Sequence, residues 1–263
     1  MSMIDWFKKL LGGQPTNMPA ASPTDGRQPV TLPPADEAAF RQSCARRETY
    51  WATVGTMERD VLAHAISPSL RGAPAWPTRR QAYRVIRRPG TILIATDGMS
   101  DPFDPPVAEG NGFGMELFIE TADIAPEHAG TLGDIAALWQ SWALELLSTA
   151  AESVAEEGGI LSRLERHRVL SMEFPGVSES DSIGPQLPAR FVTADDCVGI
   201  LLGVPVAGFP TRIDDMPLSP VSIVPVTLIT ADELEALRQG GGPARLALVE
   251  RLARSGRHHL SRL

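Results

Sequence analysis

Three aspartates, Asp97, Asp101 and Asp104, fall within the run TDGMSDPFD, and Glu116 follows downstream. Carboxylates this close together are raw material for a hard divalent cation, which wants several oxygen ligands at fixed geometry. The run has no DxDxDG pattern, and its Gly98-Met99 and Pro102-Phe103 pairs suit a tight turn in which Asp and Ser side chains bond local backbone. A structured loop with no metal and no cofactor is therefore expected. The second available chemistry is nucleophilic: Ser100 beside these aspartates, with His64 or His128 as base, contains the residue types of a triad. No GxSxG elbow surrounds Ser100, and triads are defined by geometry rather than chain order. A hydrolase using Asp97, Asp101 and Asp104 is the catalytic alternative this leaves, and no catalytic residue is assigned.

Other groups carry less. Gly110, Gly112 and Gly114 precede a strand-like run rather than a helix, which fits a bulge or close backbone approach and not a phosphate loop. His167 reads as a surface helix residue, and His258-His259 lack a second pair of metal-ligand type. Arg251, Arg254, Arg257 and Arg262 are read as cations favoured near a helix C-terminus before they are read as a phosphate stripe. The two cysteines, Cys44 and Cys197, are far apart and outside any CxxC motif, so neither a disulfide framework nor a cysteine zinc site is expected, and a reducing cytoplasm is the default.

Charge is segregated. The chain carries a formal net charge of −8, yet from Pro89 to Ser162 there is no Lys or Arg and there are thirteen acids, including Asp97, Asp101, Asp104, Glu109, Glu116 and Glu120. The overall balance argues against nucleic acid or an anionic membrane as partner, whereas an acidic block steers a basic protein surface. Phe103 beside exposed carboxylates would supply an apolar anchor in a charged rim.

The elements that must hold these residues follow from periodicity. At 263 residues, with 43% hydrophobic and 21% charged residues, the chain is long enough for a sizeable core. Residues 1–13, MSMIDWFKKLLGG, space apolar side chains as a short amphipathic helix, too short to span a bilayer and without a signal-peptide pattern. Residues 14–34 are a Pro-rich linker, so a flexible N-terminal segment precedes a folded unit over 35–263. Phe40, Cys44, Trp51 and Val54 suggest a helix carried on to Pro68. Strands are expected at 82–87, 91–97, 114–120, 197–204 and 221–229, with Pro89-Gly90 turning the first pair into a hairpin and Pro225 demanding an edge or bulge. A long helix is expected over 134–159, its buried stripe formed by Ile135, Leu138, Trp139, Trp142 and Leu146. Thr230 with Glu233 reads as a helix start that the following glycines end, before a final short helix. The fold class is one mixed α/β (α+β) domain: a mixed, mostly antiparallel sheet packed against helices.

Three blocks in order, RPGTILIATDGMSDPFD (88–104) with GNGFGMELFIET (110–121), the tryptophan-rich helix, and VSIVPVTLITADELEAL (221–237), resemble the suppressor-of-fused-like domain in its bacterial form. The resemblance is strongest over 50–256. It implies a non-catalytic module that recognises other proteins. In animals such domains restrain transcription factors by clamping a short peptide as an added strand; bacterial members include proposed immunity proteins that neutralise a toxin. The second domain of the animal clamp has no counterpart here, so the transcription-factor role is not carried over. The expected function is therefore a cytoplasmic immunity or regulatory protein binding another protein, such as a basic toxin or secreted effector, through Asp97, Ser100, Asp101, Phe103, Asp104 and Glu109. An adaptor docking through its amphipathic N-terminus is a further alternative.

Overall fold

The computed structural model describes residues 34–78, 80–103 and 110–263. The helix expected over 1–13 and all of the linker but Pro34 lie outside the described residues. Helix α1, Pro34–Val54, buries Ser43, Arg47, Tyr50, Trp51 and Val54, a stripe at helical spacing that contains one arginine. The chain turns at Gly55, where a Cβ would stand 2.7 Å from the Arg87 carbonyl oxygen. Here the expected continuation of the helix to Pro68 is corrected: residues Thr56–Ala63 form strand β1. Pairing with a neighbouring strand, Met57 opposite Ile86 and Leu62 opposite Tyr83, outweighs the local helical pattern.

Strands β2 (Ala82–Arg88) and β3 (Thr91–Asp97) make the expected hairpin through Pro89-Gly90, and β4 (Met115–Thr121) pairs antiparallel with β3. Strand β5 (Leu170–Pro175), β6 (Cys197–Leu202), the short β7 (Arg212–Ile213) and β8 (Val221–Ile229) complete one sheet. Its order is β1-β2-β3-β4-β8-β6-β5, with β7 also on β8. Of the strand pairings among the described residues, only β4–β8 is parallel. This is the mixed, mostly antiparallel sheet expected.

Strand β8 is central and its register with β4 runs regularly through Phe118 opposite Pro225, which corrects the expectation that Pro225 needs an edge or a bulge. On one side β8 is paired first by β7, at Val221 and Ser222, and then by β6, from Val226 onward. Ile223 donates to Thr211 and Pro225 accepts from Gly203 on that same side. The missing proline N–H therefore falls between the two partner strands, where no ladder bond is lost.

Helices cover both faces. Helix α2 (Trp142–Glu156) lays Trp142, Leu146, Leu147, Ala150 and Val154 over Val85, Ile94, Leu117, Ile119 and Val226. Ser141 caps it, its hydroxyl accepting from Leu144 N–H, and residues Ala136–Gln140 form a separate 3-10 turn. The single helix expected over 134–159 is thus two elements, and Trp139, expected in the buried stripe, is 37% exposed because the break at Gln140-Ser141 rotates it outward. On the opposite face α1 packs Trp51 over Ile86, Leu93, Ala95 and Phe118. Helix α4 (Ala231–Arg254) packs Leu234, Leu237, Leu248 and Leu252 beside them, on Leu201 and Ile229. It starts with the anticipated capping box of Thr230 and Glu233 and breaks at Gly241. A short helix α3 (Leu161–His167) joins α2 to β5.

Candidate functional site

Strand β3 ends at Asp97 and the chain folds through a tight turn, Asp101 N–H bonding to Gly98 O at 3.2 Å. This turn closes over Glu116 on β4. The Glu116 carboxylate is fully buried and accepts from the N–H groups of Gly98, Met99 and Ser100 at 3.2, 3.3 and 3.0 Å. The hydroxyls of Ser100 and Thr96 also donate to it, each at 2.6 Å. The turn is held down by the loop before β4. Gly112 lies at φ +50°, and a Cβ there would meet the carbonyl oxygens of Met99 and Asp101 at 2.5 Å. Beside it Asn111 donates to Ser43 Oγ at 2.7 Å and to Ser100 O at 3.1 Å, and accepts from Leu218 and Ser219 N–H, each at 3.0 Å. The glycines thus provide the expected close backbone approach.

Into this turn α1 inserts Arg47, 1% exposed. Its Nε donates to Asp97 Oδ1 at 2.9 Å, Nη1 to Ser100 Oγ at 3.2 Å and Nη2 to Asp101 Oδ1; Glu116 Oε1 lies 3.6 Å from Nε. Arg80 adds bonds to Asp97 and Asp101, and Arg84 on β2 donates to Asp97 Oδ2 at 2.8 Å and to Glu48 at the rim. Three guanidiniums therefore face three buried carboxylates. Burial works to raise the Asp97 pKa, but Arg47, Arg80 and Arg84 overcome it and hold that carboxyl down at about 2. For Glu116 burial wins, pushing its pKa up against the single nearby cation, Arg47. Arg47 itself is penalised by burial, yet Glu116, Asp101 and Asp97 hold its pKa above the ordinary value.

The arrangement is a closed clasp between helix and sheet. Its carboxylates point at arginines rather than at an open ligand position, and among the described residues no group of three His, Cys, Asp or Glu side chains is placed to hold a metal ion. Ser100 is fully buried, with its hydroxyl hydrogen directed to Glu116 and its oxygen facing Arg47. Among the described residues no histidine contacts it; His64 instead lies against Trp139, ring centroids 5.0 Å apart. The triad grouping considered from the sequence is not assembled.

The expected solvent-facing recognition loop is likewise corrected at its centre. Asp97, Ser100 and Asp101 are 2%, 0% and 0% exposed. Four of the thirteen acids in the acidic block, Asp97, Asp101, Glu116 and Glu120, point inward, so the block is not one acidic surface. The reason is that Arg47, Arg80, Arg84 and Arg88, all outside the cation-free segment, supply their countercharges across the sheet. Phe103 is half-buried against Phe113, ring centroids 6.0 Å apart. Asp104 and Glu109 lie outside the described residues.

A second ionic group was not anticipated. Arg88 bonds both oxygens of Glu120 at 2.9 and 2.8 Å, Thr91 donates to the same carboxylate, and His259 Nε2 lies 2.9 Å from it. Phe118 and Phe209 pack on the imidazole. Arg84 and Arg88 share one face of β2, opposite the face of Tyr83 and Val85, and that pairing was the available signal. Two inward arginines on an interior strand require buried carboxylates.

The surface offers something different at β1. This strand ends the sheet, and among the described residues no other strand pairs with its outer side. Val61 on β1 is 36% exposed, and apolar side chains accompany it at both ends. Leu132, 67% exposed, sits beside Gly133, whose N–H donates to Glu58 of β1; Trp139 covers His64, just past the strand. Ile66 and Leu70, in the segment that follows, are exposed too. The opposite edge, β5, carries none of the large exposed apolar side chains among the described residues.

No family model, curated protein or solved structure matches this chain. Among the described residues, no helix is long and apolar enough to cross a membrane.

Proposed function

We propose that this chain is a non-catalytic protein-binding module that restrains another protein by accepting an extended segment of it along β1. The observation that carries the reading is the outer edge of β1, which no other strand pairs among the described residues, with exposed Val61 on it and exposed Leu132 and Trp139 at its ends. An added strand would satisfy the free backbone groups of that edge while covering the apolar side chains, which supplies affinity and sequence preference together. Large exposed apolar residues gathered at a sheet edge are otherwise an aggregation hazard. Arg59 and Asp60 on β1 are both exposed and Asp134 lies beside Leu132, so the edge presents charges of both signs that can pair with polar residues flanking a partner's extended segment. The resemblance to suppressor-of-fused-like domains supports the same mode. An immunity or regulatory role in the cytoplasm is the biological form of this proposal, and the two unpaired thiols, Cys44 and Cys197, suit a reducing compartment.

The ionic clasp has a supporting part in this reading: it fixes α1 against β2 and β3, beside β1, whose register on β2 shifts between Met57 and Val61. The test is affinity capture from the native host with the full chain and with a Val61→Lys, Trp139→Ser variant. A protein retained by the full chain and lost by the variant, at unchanged melting temperature, supports the proposal. Equal retention by both overturns it.

A further inference from the structure

A concavity of about 570 Å³ lies between the end of α3 and the broken middle of α4, away from the β1 edge. Arg166, His167 and Arg168 line it from one side, Arg245 and Leu246 from the other. Among the described residues none of the three arginines makes an ion pair, in contrast to Arg163 on α3, which pairs with Glu157, and Arg251 on α4, which pairs with Glu233. Glu250 is the one acid in its wall. In a chain of net charge −8, three uncommitted guanidiniums around one depression is a concentration of charge that the fold itself does not use.

Two local features reinforce this. Arg168 closes α3 at φ +64°, ψ −46°, the centre of a γ-turn in which Val169 N–H donates to His167 O at 2.8 Å, a positive-φ conformation that glycine would adopt without penalty. The residue at this position therefore carries a guanidinium at a backbone cost. Across the concavity, α4 restarts after Gly241, so Gly242 and Pro243 line the wall as the first residues of a new helical stretch; Arg245 Nη2 lies 3.8 Å from where a Gly242 Cβ would stand. Leu246 is 44% exposed and gives the depression an apolar patch.

From this geometry we infer a binding site for a phosphate-bearing small molecule, in which Arg166, Arg168 and Arg245 hold the phosphates and Leu246 contacts the ligand body. Guanidinium forks match phosphate oxygens in pairs, and several of them favour a di- or triphosphate over a lone carboxylate. The volume falls in the range of small-molecule sites, about 300–1,000 Å³, and exceeds what a single phosphate fills. The site is independent of β1, so its fate and that of the protein-binding proposal are separable.

Titration calorimetry of the full chain with inorganic pyrophosphate and with ATP, at physiological salt, tests the inference. One saturable site is expected, weakened about tenfold or more by Arg245→Gln and by Arg168→Gly. Arg168→Gly suits the backbone at φ +64°, so its melting temperature should hold or rise while binding falls. Arg163→Gln, which changes a paired arginine on the same helix, should leave binding intact. Absence of saturable binding by either probe overturns the inference, as does binding that both site variants retain. Binding of anionic vesicles or of nucleic acid without binding of the soluble phosphates also overturns it.

Discussion

Replacing Arg47 by Met keeps the aliphatic stem and removes the charge from the centre of the clasp. Asp97 would retain Arg80 and Arg84, and Asp101 would retain Arg80 and Thr78, but Glu116 would lose its one cation. Breaking a buried ion pair from one side costs about 3–5 kcal/mol, because a desolvated charge is left behind. For a domain of this size that corresponds to a fall of roughly 6–20 °C in melting temperature. Denaturant unfolding gives the free energy and thermal scanning the shift. The comparison is Arg41→Met on the same helix, where the pair with Glu37 is 68% and 58% exposed and the change should stay within about 0.5 kcal/mol. An Arg47→Met protein no less stable than Arg41→Met would refute the claim that the clasp fixes α1 to the sheet.

Acid should act through Asp97. Its folded pKa of about 2 lies below the ordinary 3.8, so it contributes stability, about 2 kcal/mol, that is complete above pH 4. That contribution is lost as pH falls from about 4 to about 2, and Asp97→Asn, less stable at neutral pH, should lose less across that window by circular dichroism. Glu116 acts with the opposite sign, its raised pKa meaning that protonation relieves rather than weakens the fold. Gly112→Ala should cost about 2 kcal/mol or more in urea unfolding, since it combines positive φ with contacts of 2.5 Å to two carbonyl oxygens. Thr230→Ala, which removes half of the capping box, should cost about 1 kcal/mol by the same measurement.

What could be read from the sequence was what neighbours along the chain decide. The runs 91–97 and 221–229 coincide with β3 and β8 because apolar, β-branched residues fill each run and turn residues bound it. The capping box and the glycine break in α4 are equally local. Strand β1 was hidden because its pairing with β2, 19 to 31 residues away, and not its own pattern, holds TMERDVLA extended. The same distance hid the clasp. Asp97 and Asp101 look like a solvated acidic turn until Arg47, fifty and fifty-four residues earlier, is placed over them. A segment without cations suggested an acidic surface, yet the missing positive charges stand on α1 and β2, folded directly against it. Pro225 shows the converse: a residue that disfavours an interior strand is accommodated where two partner strands meet end to end.

The central claim is that β1 receives a partner's extended segment, and amide hydrogen exchange tests it most directly. The chain would be measured alone and bound to the protein it retains from its native host. The account predicts new protection over Thr56–Ala63, absent in the Val61→Lys, Trp139→Ser variant. Protection confined to β5, to the 98–103 turn or to α4, with the β1 amides exchanging as in the free chain, would contradict it.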